Sequence, residues 1–123
     1  MSKQPLRLAS AADLEECRVP LVAEPLTAPQ AERLAPGFKA LGDPVRLRLL
    51  SLIASHAGGE VCVCDLTEAF DLTAPTISHH LKVLKETGLV TSERRGTWVY
   101  YRAQQAALNL LSTVLSVPEA VDA

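Results

Sequence analysis

Aromatic side chains are scarce, at 4% of the 123 residues. A core built from this chain must be aliphatic, made of Leu, Val, Ala and Ile. No uncharged apolar run approaches the roughly 20 residues that a membrane-spanning helix requires, so no membrane partner is expected. The N-terminal stretch MSKQPLRLASAADLEECRVP has no apolar signal core, and export is not expected. Three cysteines is an odd number, which argues against a closed disulfide framework. A reducing cytoplasm is the expected home, where grouped cysteines more often mean metal or redox chemistry than staples. The chain also lacks a C-x-x-C motif, a Gly-rich phosphate loop and a Ser/His/Asp grouping, so an enzyme is not expected.

Strong charge of one sign is missing too: the net charge is −2. Its distribution says more than its sum. Residues 71–102 hold five basic side chains (Lys82, Lys85, Arg94, Arg95, Arg102) against three acidic ones (Asp71, Glu86, Glu93), and no other stretch is net positive. Local positive charge on a mildly acidic chain suits a protein that meets a polyanion with one face.

The length allows one domain. Four of the eight prolines fall in the first 29 residues, so 1–26 reads as an N-terminal arm with at most a short helix around Ala11–Cys17. Residues 27–123 read as a single domain for DNA binding and dimerisation. A helix starts near Thr27 with Pro29 in its first turn. Pro36–Gly37 predicts a kink or two short pieces there. Asp43–Pro44 is a helix start, and Pro44–Ser55 carries Val45, Leu49, Leu52 and Ile53 on one side, widened by Leu47 and Leu50. Glu60–Cys64 alternates and reads as extended. Asp65–Phe70 is a short helix, Asp71-Leu72-Thr73 a turn, and Pro75 to about Thr87 a second helix capped by Gly88. Val90–Glu93 and Thr97–Arg102 read as a hairpin with Arg94-Arg95-Gly96 at its tip. Gln104–Leu115 is a last, apolar helix, followed by Pro118 and an acidic tail.

A short helix, a turn, a second helix and a basic hairpin make the winged helix-turn-helix pattern. The expected fold is therefore mainly α with a small β-hairpin. At about 100° per residue, Ile77, Leu81 and Leu84 share the inner face of the second helix. Thr76, Ser78, His79 and Lys82 then face outward near its N-terminus. Short hydroxyls, an imidazole and an ammonium suit base edges and phosphates in a major groove, and the helix start, with Thr73 before it, favours phosphate. Arg94 and Arg95 would reach the neighbouring backbone or minor groove. His80 projects toward the buried flank and reads as a packed histidine. One of the pairs Trp98/Tyr100 and Val99/Tyr101 should pack on the core. A single recognition helix rarely supplies enough affinity, so a two-fold dimer on palindromic double-stranded DNA is expected.

Cys62 and Cys64 form C-x-C. On a straight helix they would point about 200° apart and could not share an ion. On an extended piece they lie on one face, and at a strand-to-helix junction both sulfurs can converge. A helix N-terminus there should lower the thiol pKa. Thiolates suit thiophilic ions.

The runs FKALGDPVRLRLLSLI, VCVCDLTEAFDLTAPTISHHLKVLKETGLV and RRGTWVYYR resemble the ArsR/SmtB family of metal-responsive repressors, in the same order and spacing, over about Thr27 to Arg102. The resemblance implies a homodimer held by the first and last helices, with an apo-dimer that holds an operator and is released by metal. CVCDL resembles the motif of the arsenic-responsive members. Those often add a third cysteine three residues on, where this chain has Thr67. Some members recruit a cysteine from the N-terminal arm, which makes Cys17 the candidate third ligand beside Cys62 and Cys64. An arm of that length can reach its own or a partner's site. Three thiolates without an imidazole suit As(III) or Sb(III) as inducer, whereas zinc and cadmium prefer four donors. The family's other site, on the last helix, is absent from QQAALNLLSTVL, and no obligatory cofactor is expected. Alternatives are a Cd(II) or Pb(II) inducer, or sensing of thiol oxidation or reactive sulfur by the same three cysteines.

Overall fold

The structure, a computed structural model, describes residues 17–117. The helix expected around Ala11–Cys17 lies outside them except for Cys17 itself, as does the tail from Pro118.

Helix α1 spans Ala28–Leu41 and α2 spans Pro44–Ser55. A short 3-10 turn, Ala57–Gly59, leads into strand β1, Glu60–Cys62, and α3, Val63–Glu68. Helix α4, Ala74–Glu86, is followed by β2, Val90–Arg95, β3, Trp98–Ala103, and α5, Gln105–Leu115. The three strands form one antiparallel sheet in the order β1-β3-β2. The hairpin expected from the sequence is thus widened by the extended piece at Glu60, which pairs with β3.

Helix starts follow their capping residues. The Thr27 hydroxyl accepts from Gln30 N at 3.2 Å while Gln30 Oε1 accepts from Thr27 N at 2.9 Å, a reciprocal capping box. Asp43 Oδ1 accepts from Val45 N at 2.8 Å and Arg46 N at 3.2 Å. Helix α4 ends in a two-bond motif: Gly88 N donates to Lys85 O, and Leu89 N donates to Leu84 O. Gly88 has φ 85°, a left-handed conformation that closes this motif without a Cβ clash. Leu84 and Leu89 are both fully buried beside it.

Two expectations are corrected. Helix α1 runs through Pro36 without a break. Burial of Leu34, Gly37 and Ala40 on one face outweighs the hydrogen bond that proline removes. On α2, Leu49, Leu50 and Ile53 are buried but Leu47 is 52% exposed, so the inward stripe is narrower than the run of leucines suggests.

The core is aliphatic and continuous: Leu34, Leu49, Ile53, Leu66, Ile77, Leu81 and Leu110 are all at or below 2% exposure. Among the described residues no polar or charged side chain is buried in it. The described part of the arm lies on this core. Cys17 is 1% exposed, Leu26 packs against the cluster, and Leu21 N donates to Val114 O of α5 at 2.9 Å. Tyr101 is the tyrosine that packs inward, with Val99 half-buried on the same side of β3.

Leu84→Ala should cost about 3 kcal/mol, by lost transfer energy and the cavity left behind, read as a lower urea midpoint. Asp43 gives a pH test. Hydrogen bonds from the backbone of Arg46 and Val45 hold its carboxyl below the usual carboxylate range. The folded pKa is depressed, so the cap's contribution is present above the unfolded value of about 3.9 and is lost as pH falls through the folded one. Between pH 5 and pH 3 the wild-type melting temperature should fall more steeply than that of Asp43→Ser, which keeps a neutral cap oxygen.

Candidate functional site

The helix-turn-helix consists of α3 and α4 joined by residues 69–73. Phe70 and Leu66 seat the first helix on the core, and Ile77, Leu81 and Leu84 seat the second. That fixes the outer face of α4. Thr76, Ser78, His79 and Lys82 are all exposed on it, as periodicity predicts. Thr73 is the N-cap of α4 and accepts from Thr76 N at 3.3 Å. Its hydroxyl lies 2.9 Å from that of Thr76, so both side chains order the helix start. His80 is half-buried, with Nδ1 3.3 Å from Arg46 Nη1. A guanidinium only donates, so Nδ1 accepts, and Arg46 Nε donates to Ala40 O at 2.7 Å. His80 therefore ties the recognition helix to the α1–α2 corner.

The wing departs from expectation at its tip. Arg95 pairs with Trp98, so the loop is only Gly96–Thr97, and both arginines sit within β2. Neighbours on a strand face opposite sides. Arg95 shares a side with Glu93 and Tyr100, and Arg94 does not. Arg95 Nη1 donates to Glu60 Oε1 at 2.6 Å, and its Nη2 donates to Glu60 Oε2 at 3.0 Å and Glu93 Oε1 at 2.8 Å. Its guanidinium carbon lies 4.5 Å from the Tyr100 ring centre. Arg102 also holds Glu60, at 2.7 Å. The Arg95 ion pair draws the Glu60 carboxyl below its usual range and the Arg95 pKa up. Arg94 and Lys82 are exposed and make no ion pair among the described residues. Local spacing does not mark Glu60 or Tyr100 as partners of the wing arginines. Only the register, Glu60 opposite Arg102 and Cys62 opposite Tyr100, brings them to the wing.

The thiol pair forms at the junction of β1 and α3. Cys62 is the last strand residue and the N-cap of α3, with its sulfur accepting from Cys64 N at 3.5 Å. The Cys64 thiol donates to Cys62 Sγ, and the two sulfurs are 2.8 Å apart. The extended φ and ψ of Cys62, −73° and 143°, turn its side chain back over the first helical residues. The Cys64 pKa is raised, chiefly by that hydrogen bond to Cys62, with burial and the Cys62 and Asp65 charges adding to it. This corrects the expectation of a lowered pKa. A six-residue helix offers little dipole, and a thiol that donates to its neighbour holds its proton. Thr67, where a third cysteine would stand, donates its hydroxyl to Cys64 O at 2.9 Å. Cys17 sits in the hydrophobic core, and no group of three potential metal ligands occurs among the described residues. The chain thus brings Cys62 and Cys64 together and does not bring Cys17 to them.

Comparison with known proteins agrees with this architecture. Residues 43–92 match the family described as bacterial regulatory protein, arsR family. The Bacillus subtilis arsenical resistance operon repressor is 44% identical over 79 residues, covering 63% of this chain and 73% of that protein. A transcriptional repressor SmtB homolog from Synechocystis is 37% identical over 127 residues, covering 93% and 94%. In three dimensions the chain resembles a homodimeric winged helix-turn-helix DNA-binding domain from Mycobacterium bovis, a possible ArsR-family transcriptional regulator. The TM-score is 0.59 at 31% identity, over 72% of this chain and 83% of that one. No helix among the described residues is long and apolar enough to cross a membrane. The fold, the family match and the near full-length relative agree: the chain belongs to the arsR family of bacterial regulatory proteins and is a winged helix-turn-helix transcriptional repressor, not an enzyme.

Proposed function

We propose that this repressor binds operator DNA as a homodimer and is released when As(III), or Sb(III), is captured by cysteine sulfur. The observation that carries this reading is the 2.8 Å approach of Cys62 and Cys64 at the N-cap of α3. The pair stands at the first helix of the DNA-reading element. Bonding of the Cys62 sulfur to the metalloid draws it from the position in which it caps Cys64 N. Capture of Cys64 removes the proton it now shares with Cys62. Either event disturbs the start of α3, against which α4 packs. The bound metalloid supplies a thiophilic centre that two or three thiolates can satisfy. Similarity to arsenical resistance repressors supports this choice of ligand.

The third thiolate is assigned to Cys17, from the same chain or from its partner. Its burial has a consequence: recruiting it lifts the arm off α1 and α5. The homodimer reading rests on the apolar groove of about 280 Å³ formed there by Leu21, Leu26, Leu34, Phe38, Val114 and Leu115. Leu115 is 57% and Leu21 43% exposed at its rim. A like groove on a second copy would cover both. The homodimeric relative supports the dimer reading.

On DNA, Ser78, His79 and Lys82 are assigned to the major groove. Thr73 and Thr76 present the α4 N-terminus to a phosphate, and Arg94 meets the backbone beside the wing. Arg95 is withdrawn from this set by its carboxylate partners.

The 2.8 Å contact also favours a second reading. Two-electron oxidation of both thiols, with peroxide reduced to water, would join them as a disulfide. Cd(II) or Pb(II) would need a further donor.

Two predictions follow from the proposed site. Moving an operator from about 99% bound to 99% free requires roughly a 10⁴-fold preference of inducer for the released form. Fluorescence anisotropy with reduced protein should show As(III)-driven release that Cys62→Ser abolishes and Cys17→Ser weakens at least tenfold. Full release of Cys62→Ser would refute the thiol site, and release by peroxide alone would replace the inducer. Separately, Arg94→Ala should lower the slope of log affinity against log salt by about 0.9, the value for one phosphate contact.

A further inference from the structure

The strand that ends at Cys62 is wired to the wing twice, by its backbone ladder to β3 and by one side chain from β2. In β1, Glu60 and Cys62 are two residues apart and so lie on one side of the strand. Their cross-strand partners on β3 are Arg102 and Tyr100. Arg95, on β2 at the far side of β3, reaches back across the sheet to Glu60 and Tyr100. It is held bidentately by Glu60 at 2.6 and 3.0 Å and lies over the Tyr100 ring at 4.5 Å. Bidentate guanidinium–carboxylate pairing is directional as well as strong, so a shift of β1 is transmitted to the strand that bears Arg94. The charges within the cluster also cancel. Arg95 and Arg102 face Glu60 and Glu93, which leaves Arg94 as the unpaired cation of the wing. No other charged side chain among the described residues bridges β1 to β2 in the ion pairs found.

We propose that Arg95 is a positioning residue, a brace by which Glu60 sets the angle of the wing and through which capture of ligand at Cys62 is felt at the DNA backbone. This rests on the thiol-site reading above for its ligand, but the brace itself does not. With the brace intact, the wing presents Arg94, and Arg95 makes no phosphate contact. Displacement of β1 by ligation at Cys62 moves Glu60, and the bidentate pair carries the wing out of its DNA-competent position; without the pair the displacement is not passed on.

The test uses the full-length reduced protein with As(III) as probe, and the variants Glu60→Gln and Arg95→Met. Glu60→Gln is nearly isosteric, and a far-ultraviolet spectrum with a melting curve checks that each variant folds. Two quantities are read: the factor by which As(III) weakens operator affinity, and the salt slope without As(III). Both variants should bind As(III) within threefold of wild type, followed by sulfur–arsenic absorbance, yet lose at least nine-tenths of the release factor. Glu60→Gln should steepen the salt slope by at least about 0.9, because it leaves Arg102 without its carboxylate and Arg95 with Glu93 alone, so that a guanidinium is freed for phosphate, and Arg95→Met should leave it unchanged. A merely structural role would lower melting temperature without separating ligand binding from release. Full release factors in both variants would overturn the brace, as would a slope that falls by about 0.9 in Arg95→Met, which would make Arg95 a direct DNA contact. Where As(III) fails to release the wild-type protein, the inducer reading falls and the salt slopes still decide: an unchanged slope in Glu60→Gln overturns the proposal.

Discussion

Three residues of antiparallel pairing carry much of this molecule. Glu60, Val61 and Cys62 lie against Arg102, Tyr101 and Tyr100. That short ladder turns a hairpin into a sheet with β3 at its centre. It buries Val61 against the core and ends at Cys62, whose sulfur then starts α3. If β1 slipped by one residue, every side chain on it would change face. Glu60 would leave Arg95, Cys62 would turn from Tyr100, and Val61 would leave the core. Burial of Val61 is what pins the register, and with it the positions of the thiol pair and the wing.

The remainder of the domain gives that ladder a rigid base. Its interior is leucine, isoleucine and valine with no buried charge among the described residues, so packing rather than polar pairing specifies the arrangement of helices. Polar order sits at the surface, in caps and corners. Thr27, Asp43, Cys62 and Thr73 each start a helix. A cysteine in that role is unusual, because sulfur is a weak acceptor beside a hydroxyl or carboxylate. The weak cap makes the start of α3 the helix end that a thiophilic ligand can most readily take over. A structural requirement and a proposed chemical one meet in the same atom.

The arm adds a second layer. Its first described residue, Cys17, is inside the core rather than free at the surface, and Leu21 is held to α5 by a backbone hydrogen bond. A ligand that needs Cys17 must compete with the burial of that side chain and of Leu26. Arm undocking and dimer packing share the same helices, α1 and α5. A metalloid site that used the arm would therefore act on the dimer as well as on the reading helix.

Much of this was legible in the residues. Aliphatic spacing at Ile77, Leu81 and Leu84 showed the inner face of α4, and so the outer one. Asp43–Pro44 and Gly88 marked helix ends, because capping is local chemistry between residues two to five apart. C-x-C at a strand-to-helix boundary foretold that Cys62 and Cys64 converge. Other features were decided only by tertiary structure. Periodicity could not show that α1 passes through Pro36, since the burial that overrides a missing hydrogen bond comes from other elements. It placed both wing arginines at a loop, whereas strand pairing puts them on opposite faces and gives one of them to Glu60, 35 residues away. It gave Cys64 a lowered pKa from helix position alone, whereas the neighbouring sulfur, set by the fold of the junction, raises it. Local spacing determines which side of an element a residue occupies. Which partner waits on that side depends on strand register and packing between distant segments, and those exist only once the chain has folded.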